Sequence, residues 1–312
     1  MDAPKPGLRN KFWAYLHKND SFSDSCMELR LAAERGDLWC TDHLIDKLRA
    51  SQHPHTELEI GYAMQRAASK GQSAVIELMY QKDCGLLPYN TPLFGEQAVT
   101  ALFYKKDFGK FPRNGQERQE YDRYRSDPDR KAALEQLNWR EISFLFAVSH
   151  DHPETAKMFM DKGVNVEVLD NNALGFATSK DYRKMTELLL QYGADPAANY
   201  YEAVHYGIYH DSSRMFGDSC LDPLLAQKIT VPPDHMQALI AAALREDNFH
   251  RPTLEKVLNF ALRQPEKADV KPLFDLPALQ WNDVARNLLE EYQSLADKTK
   301  PRNPPRTRNP RV

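Results

Sequence analysis

Two adjacent stretches decide how the fold of this chain is interpreted: FLFAVSHDHPETAKMFMDKGVNV, from Phe144 to Val166, and LGFATSKDYRKMTELLLQYGADP, from Leu174 to Pro196. When Ala147 is aligned with Ala177, a glycine follows in register in both stretches, and no gap is needed. Each stretch holds two segments of about ten residues with helical periodicity, separated by a short polar turn. The pattern therefore predicts pairs of α-helices that repeat along the chain.

A third stretch, Met64 to Asp83 (MQRAASKGQSAVIELMYQKD), fits the same frame. Ala67 takes the alanine position, and Val75, Leu78 and Met79 take the apolar positions of the second helix. A small alanine lets the first helix approach its partner closely, while the apolar stripe is buried between neighbouring units. Three copies in register indicate an internal repeat, and strand-like alternation is hard to find anywhere in the chain.

These stretches resemble ankyrin repeats, whose core reads approximately LHLAAxxGHxEVVxLLLxxGADVN. The second copy carries LLLQYGADP at Leu188 to Pro196, and the first carries DHPE at Asp151 to Glu154. Weaker copies are LRLAAERGD at Leu29 to Asp37, YYEAVHYG at Tyr200 to Gly207 and LIAAALRED at Leu239 to Asp247. The resemblance implies an all-α, ankyrin-type helical-repeat solenoid of about five or six irregular units, with an internal insertion and helical caps. Few residues separate Gly193 from Tyr200, so the β-turn finger of the family is shortened there.

Composition and the resemblance together divide the chain into six predicted segments. They are an N-terminal capping helix within 1–26, ankyrin-like repeats at 27–85, a charged insertion at 86–137, further ankyrin-like repeats at 138–262, C-terminal capping helices at 263–297, and a disordered basic tail at 298–312. The tail holds prolines, arginines and lysines and almost no apolar residue, so it cannot build a core.

The charge and composition of the chain argue against some classes of protein function. The formal net charge is −3, which argues against a protein built to lie along a nucleic-acid backbone. There is no apolar signal segment at the N-terminus and no run of about 18 apolar residues, so we expect a soluble, intracellular, cytoplasmic protein. Delivery into a host cell as an effector is compatible with this expectation. The few, widely spaced cysteines, which we expect to be reduced, are Cys26, Cys40, Cys84 and Cys220.

Residues with potential for chemistry are sparse. His150, Asp151 and His152 are adjacent, but His152 occupies the position of the turn histidine of ankyrin repeats, where the resemblance implies hydrogen bonding instead of metal ligation. The chain contains no GxSxG, HExxH, P-loop or GxGxxG motif. The sequence therefore predicts neither a catalytic residue nor a metal or cofactor.

The first helices of ankyrin units line a concave groove, so their last exposed positions are candidate contacts for a protein partner. Tyr201, His205 and Tyr209 would share one face of a regular helix, and aromatic residues with polar tips are frequent at binding hot spots. Plain packing between units explains the same residues equally well. The predicted partner-binding residues are Ser149, His150, Ser179, Lys180, Tyr201, His205, Tyr206 and Tyr209.

The leading functional prediction is a non-catalytic scaffold that binds a protein partner through the concave face, by shape, aromatic contacts and charge complementarity. Partner identity and oligomeric state are left open by the sequence. One alternative is an enzyme whose active site is formed by the insertion at 86–137 and the repeat loops. Another is a nucleic-acid-associated protein that uses the basic tail, which should bind with steep salt dependence.

Overall fold

The computed structural model describes residues 21–86, 137–213, 219–244, 249–280 and 282–299. Within these ranges the chain forms thirteen α-helices and two short 3-10 helices, and no β-strand. The prediction of an all-α fold is therefore confirmed. The chain divides into two compact units, residues 1–195 (unit 1) and residues 196–312 (unit 2).

Three predicted segments lie wholly or mostly outside the described residues. They are the capping helix, most of which falls within 1–20, the insertion from residue 87 to residue 136, and the basic tail from residue 300 onward.

The described part of unit 1 consists of four consecutive helix pairs. The pairs are α1 (Phe22–Arg35) with α2 (Leu38–Ala50), α3 (Thr56–Ser69) with α4 (Ser73–Gln81), α5 (Trp139–Ser149) with α6 (Pro153–Asp161), and α7 (Val168–Ser179) with α8 (Arg183–Gln191). The two helices of each pair contact each other. The first helices contact one another in the order α1, α3, α5, α7, and the second helices in the order α2, α4, α6, α8. Unit 1 is therefore built as two rows of helices with the core between them.

The predicted insertion interrupts the sequence of unit 1 but not its packing. Helix α3 contacts α5, and α4 contacts α6, although residues 82–138 separate the two pairs in sequence. Arg140 Nε donates a 2.9 Å hydrogen bond to the Cys84 carbonyl oxygen, and the Arg140 guanidinium lies 4.1 Å from the centre of the Tyr80 ring. The residues on either side of the insertion are thus held together.

Local signals explain where several helices begin. The side chains of Ser21 and Asp37 accept hydrogen bonds from backbone N–H groups in the first turns of α1 and α2. Asn138 and Glu141 form a reciprocal capping box at the start of α5. Pro153 occupies the first turn of α6, where its missing N–H leaves no helical hydrogen bond unmade.

One turn geometry joins the two helices of every pair in unit 1. A residue with positive φ follows each first helix, and the N–H of the next residue donates a 2.9 Å hydrogen bond to an alanine carbonyl five positions earlier. This is the left-handed helix ending in which a side chain is disfavoured. The positive-φ residues are Gly36, Gly71, Asp151 and Asp181, and the accepting alanines are Ala32, Ala67, Ala147 and Ala177.

Side chains from these turns also connect successive pairs. Gln72 Nε2 donates to the Glu34 carbonyl oxygen at 3.2 Å, and His152 Nε2 lies at hydrogen-bonding distance, 3.0 Å, from the Ser69 carbonyl oxygen. In both cases the accepting residue is two positions before the turn glycine of the preceding pair, Gly36 or Gly71. The contact is so close that a Cβ atom on Gly71 would lie 2.8 Å from His152 Nδ1. The hydrogen-bonding role expected of His152 is therefore observed.

The second helices are connected by polar contacts of a similar kind. Lys82 Nζ lies 2.6 Å from Asp46 Oδ1 and also pairs with Asp42. Lys162 Nζ lies 2.8 Å from Glu77 Oε1. In the last pair, the Tyr192 hydroxyl donates to the Asp161 carboxylate. Because these ion pairs and hydrogen bonds are partly exposed, each contributes little to the free energy of unfolding. Most of that free energy comes from the buried core.

Unit 2 begins with α9 (Ala198–Ser213), which contacts three later helices. The remaining helices are α10 (Leu221–Leu225), α11 (Pro233–Ala243), α12 (Arg251–Arg263) and α13 (Asp283–Thr299), with 3-10 helices at Lys271–Asp275 and Pro277–Leu279. Helix α9 packs against α10, α11 and α12, and α13 packs against α12. In α13, Leu289 and Tyr292 are buried, whereas Val284 is exposed.

Candidate protein-binding surface

The start of α9 departs from right-handed helix. Asn199, Tyr200 and Tyr201 have φ values of 50°, 55° and 64° with ψ values of 48°, 42° and 29°. Left-handed backbone costs roughly 1–2 kcal/mol per residue for an L-amino acid with a Cβ atom. Three such residues in a row, none of them glycine, make this the most strained backbone segment among the described residues.

Tyr201 anchors this left-handed turn from inside unit 2. Its side chain is only 8% exposed, and its hydroxyl donates a 3.0 Å hydrogen bond to the Thr230 carbonyl oxygen. Its ring also lies against His235 of α11, with the ring centres 5.4 Å apart. Burial of this ring and satisfaction of its hydroxyl contribute to offsetting the strain of the turn.

Tyr200 is carried outward by the same turn. Its side chain is 82% exposed, the largest exposure among the described large hydrophobic residues. The ring is nearly parallel to that of His235, with an interplanar angle of 8° and ring centres 6.1 Å apart. His235 therefore contacts both tyrosines, the buried one and the exposed one.

A carboxylate stands beside this aromatic group. Asp234, in the first turn of α11, has a side chain that is 78% exposed, and its Oδ1 lies 3.3 Å from His235 Nδ1. A hydrogen bond from the backbone N–H of His235 lowers the pKa of the Asp234 carboxyl. A tyrosine ring and an ionised carboxylate thus both lie next to His235, and we call Tyr200, Asp234 and His235 the Tyr200 surface.

His205 lies one turn after Tyr201 on α9 and is half-buried. Burial lowers the pKa of this imidazole, and the nearby His235 lowers it further. Both causes favour the neutral form, because the charged form would lose hydration and be repelled by a second imidazolium. His205 is thus placed next to the Tyr200 surface as a neutral group at pH 7.

The other predicted residues of α9 are arranged differently from the expectation. The expectation that Tyr201, His205 and Tyr209 share one face assumed a regular helix from Tyr201 onward. Tyr201 instead lies in the left-handed turn, so helical spacing does not relate its side chain to those of His205 and Tyr209. Tyr209 is 47% exposed and meets His210 edge to face, with ring centres 5.3 Å apart. Tyr206 is half-buried.

The predicted residues of unit 1 lie at the ends of first helices. Ser149 Oγ and Ser179 Oγ each donate a 3.0 Å hydrogen bond to the carbonyl oxygen three residues earlier, so both hydroxyls are used within their own helices. Ser69, which the sequence analysis did not select, does the same at 2.8 Å. The His150 ring is stacked on Phe146, while Lys180 is half-exposed at the end of α7.

The predicted partner-binding residues do not include Tyr200, Asp234 or His235. Asp234 and His235 follow two prolines at the start of α11, more than thirty positions after Tyr200, and nothing in their spacing links them to α9. Only the packing of α9 against α11 brings them to the tyrosines.

A second cluster of polar side chains in unit 2 contains residue types that are common in active sites, but these side chains are engaged with one another. Asp211 is buried and accepts hydrogen bonds from Ser219 Oγ, Thr253 Oγ1 at 2.6 Å and Lys256 Nζ at 3.0 Å. Burial would raise the pKa of the Asp211 carboxyl, but these three donors outweigh it and lower the pKa. Lys256 is also paired with Asp222 at 2.9 Å. Because its acceptors are engaged, Asp211 joins α9, α10 and α12 and is poorly placed to act as a base.

The cysteines do not have the surroundings of nucleophiles. All four are free and buried, and burial raises the pKa of Cys26 and of Cys84 to about 11 each. A thiol with so high a pKa is protonated at neutral pH. In the described part of the chain, no group of three or more His, Cys, Asp or Glu side chains is placed to hold a metal ion.

No family model matches the chain, and no curated protein matches it either. Among the described helices, none is long and apolar enough to cross a membrane. Most of the insertion at 86–137, which the enzyme alternative uses together with the repeat loops, and most of the tail at 298–312, which the nucleic-acid alternative uses, lie outside the described residues.

Proposed function

We propose that this protein is a non-catalytic scaffold of the ankyrin type that binds a protein partner. Support for the ankyrin type comes from unit 1, where one turn geometry occurs four times and successive helix pairs contact each other row by row. A repeat array of this kind holds its surface side chains in fixed positions, and so reduces the entropy lost on binding.

The observation that carries the binding proposal is the exposure of Tyr200 on strained backbone. An exposed tyrosine on a left-handed turn without glycine lowers the stability of the free protein, and such strain is typically retained where it serves function. A tyrosine held in one orientation buries a large area at small entropic cost when a partner covers it.

Each predicted partner-binding residue has a place in this proposal. Tyr200, which is not among the predicted residues, contacts the partner directly, while the predicted Tyr201 positions the turn from inside unit 2. His205, Tyr206 and Tyr209 continue the aromatic and imidazole surface along α9. The group in unit 1, which forms a second contact region at the ends of first helices, consists of Ser149, His150, Ser179 and Lys180.

The proposal assigns no catalysis, metal or cofactor to the chain and places its action inside a cell. It is supported by the free cysteines, which suit a reducing compartment. Delivery into a host cell as an effector is compatible with it.

A quantitative pull-down tests the binding proposal. The intact protein and the Tyr200→Ala variant are immobilised, exposed to the same cell lysate, and compared by mass spectrometry. We expect at least one protein to be enriched by the intact chain and reduced about tenfold or more by Tyr200→Ala, since a central aromatic anchor is worth about 1.4 kcal/mol or more.

The matched control is Leu295→Ala, which removes an exposed apolar side chain from α13 of the same unit. It should retain every partner. Circular dichroism and thermal unfolding must first establish that both variants fold like the intact protein. A set of bound proteins that Tyr200→Ala leaves unchanged would contradict the proposal.

A further inference from the structure

The Tyr200 surface combines two features that together recognise a cation. An aromatic ring attracts positive charge to its face, and an ionised carboxylate next to it adds a charged hydrogen-bond acceptor. Tyr200 is 82% exposed and the Asp234 side chain is 78% exposed, so both are open to a partner.

His235 fixes the spacing of these two groups. Its ring is stacked with that of Tyr200, and its Nδ1 lies 3.3 Å from Asp234 Oδ1. A carboxylate has about four acceptor positions, so the exposed Asp234 side chain can still accept hydrogen bonds from a partner. The Tyr200 ring and the Asp234 carboxylate are therefore both neighbours of His235.

We propose that the Tyr200 surface binds an arginine side chain of a basic peptide segment in the partner. A guanidinium is planar, stacks on aromatic rings and can form two parallel hydrogen bonds with one carboxylate. This inference rests on the proposed function, since it names the chemistry of the partner at the same surface.

Other kinds of partner segment suit the surface less well. An acidic or phosphorylated segment would meet the Asp234 carboxylate and the negative face of the Tyr200 ring. A purely apolar segment would have to bury the Asp234 carboxylate, and burying an unpaired charge is unfavourable. A lysine segment would form the ion pair but would stack less well and could not make the bidentate contact.

The test is the binding of three labelled peptides, hexa-arginine, hexa-lysine and hexa-glutamate, to the full chain by fluorescence anisotropy in buffer of physiological ionic strength. We expect hexa-arginine to bind, hexa-lysine to bind several-fold more weakly, and hexa-glutamate not to bind. Tyr200→Ala and Asp234→Asn should each weaken the binding of hexa-arginine about fivefold or more.

The matched control for charge is Glu290→Gln, which removes one exposed carboxylate from α13 and changes the net charge by the same amount as Asp234→Asn. It should leave hexa-arginine binding unchanged. A loss equal to that of Asp234→Asn would mean that only overall charge matters, and would overturn the proposal. So would equal binding of hexa-lysine, binding of hexa-glutamate, or no detectable binding of hexa-arginine.

The two proposals fail separately. If Tyr200→Ala removes a partner from the pull-down but hexa-arginine does not bind the intact chain, the protein-binding surface stands and its preference for arginine is wrong. If hexa-arginine binds through Tyr200 and Asp234 while the pull-down is unchanged by Tyr200→Ala, the cation site stands and the proposed protein partner is wrong.

Discussion

Gly61 of α3 lies directly against the indole ring of Trp139 of α5. A Cβ atom on Gly61 would be 2.3 Å from Trp139 Cδ2, a separation at which either helix must move. Trp139 is fully buried and also meets Tyr62 edge to face, with ring centres 4.9 Å apart. This contact joins the helix pairs on either side of the predicted insertion, so the glycine permits α3 to pack closely against α5.

Gly61→Ala is therefore expected to destabilise the protein. Glycine in a helix interior is about 1 kcal/mol less favourable than alanine, so helix propensity alone predicts a gain in stability. Overlap with Trp139 should reverse the sign and lower the free energy of unfolding by about 1–3 kcal/mol. Urea unfolding followed by circular dichroism measures the difference. In the double variant with Trp139→Leu, the additional cost of Gly61→Ala should largely disappear, and full additivity would contradict the steric cause.

Gly71→Ala tests the contact between a turn glycine and the histidine of the next pair. Gly71 and Gly163 both have positive φ, so alanine at either position is strained by about 1 kcal/mol. Only at Gly71 would the new Cβ atom also meet His152, at 2.8 Å, whereas nothing lies within 4 Å at Gly163. We expect the larger fall in melting temperature for Gly71→Ala. Equal falls would show that His152 does not constrain the turn.

Lys256→Met should destabilise unit 2 because it removes a charged donor from buried Asp211. The loss of one donor to a buried carboxylate is worth about 1.5–3 kcal/mol, reduced here because the lysine side chain is itself about one third exposed. Lys157→Met is the matched control, since Lys157 pairs with exposed Asp161 four residues later and should have a much smaller effect. Comparing the two by chemical unfolding decides whether the Asp211 group is a structural junction.

His205 should make stability fall on acidification. In the folded state the pKa of His205 lies below its ordinary value of 6.5, so the unfolded chain binds the proton more readily. His205 therefore contributes to the free energy of unfolding at pH values above 6.5, its pKa in the unfolded chain. This contribution declines as the pH falls below 6.5 towards the lower pKa of the folded state. The expected observation is a smaller loss of unfolding free energy between about pH 7.5 and about pH 5 for His205→Gln than for the intact chain. An identical pH dependence would contradict the burial of a neutral imidazole.

Part of the fold follows from local sequence pattern. The register that aligns Ala67, Ala147 and Ala177 also identifies the carbonyl groups that accept the turn hydrogen bond in the structure. This is possible because the periodicity of a helix, its ending and its turn depend on residues within a few positions of one another. The candidate site could be predicted less well from local sequence pattern. Helical spacing singled out Tyr201, His205 and Tyr209, but it could not foresee the left-handed backbone at Tyr201.

The sequence by itself determined the all-α class and the helix pairs of unit 1, because apolar periodicity and turn residues are encoded locally. Only the tertiary structure decided that the pairs before and after residues 86–137 pack together through Gly61 and Trp139, and that Tyr200 is exposed beside Asp234 and His235. Those relationships join residues far apart in sequence. They arise from the burial of side chains such as Trp139 and Tyr201, whose free energy is large enough to impose close helix contact and left-handed backbone against local preference.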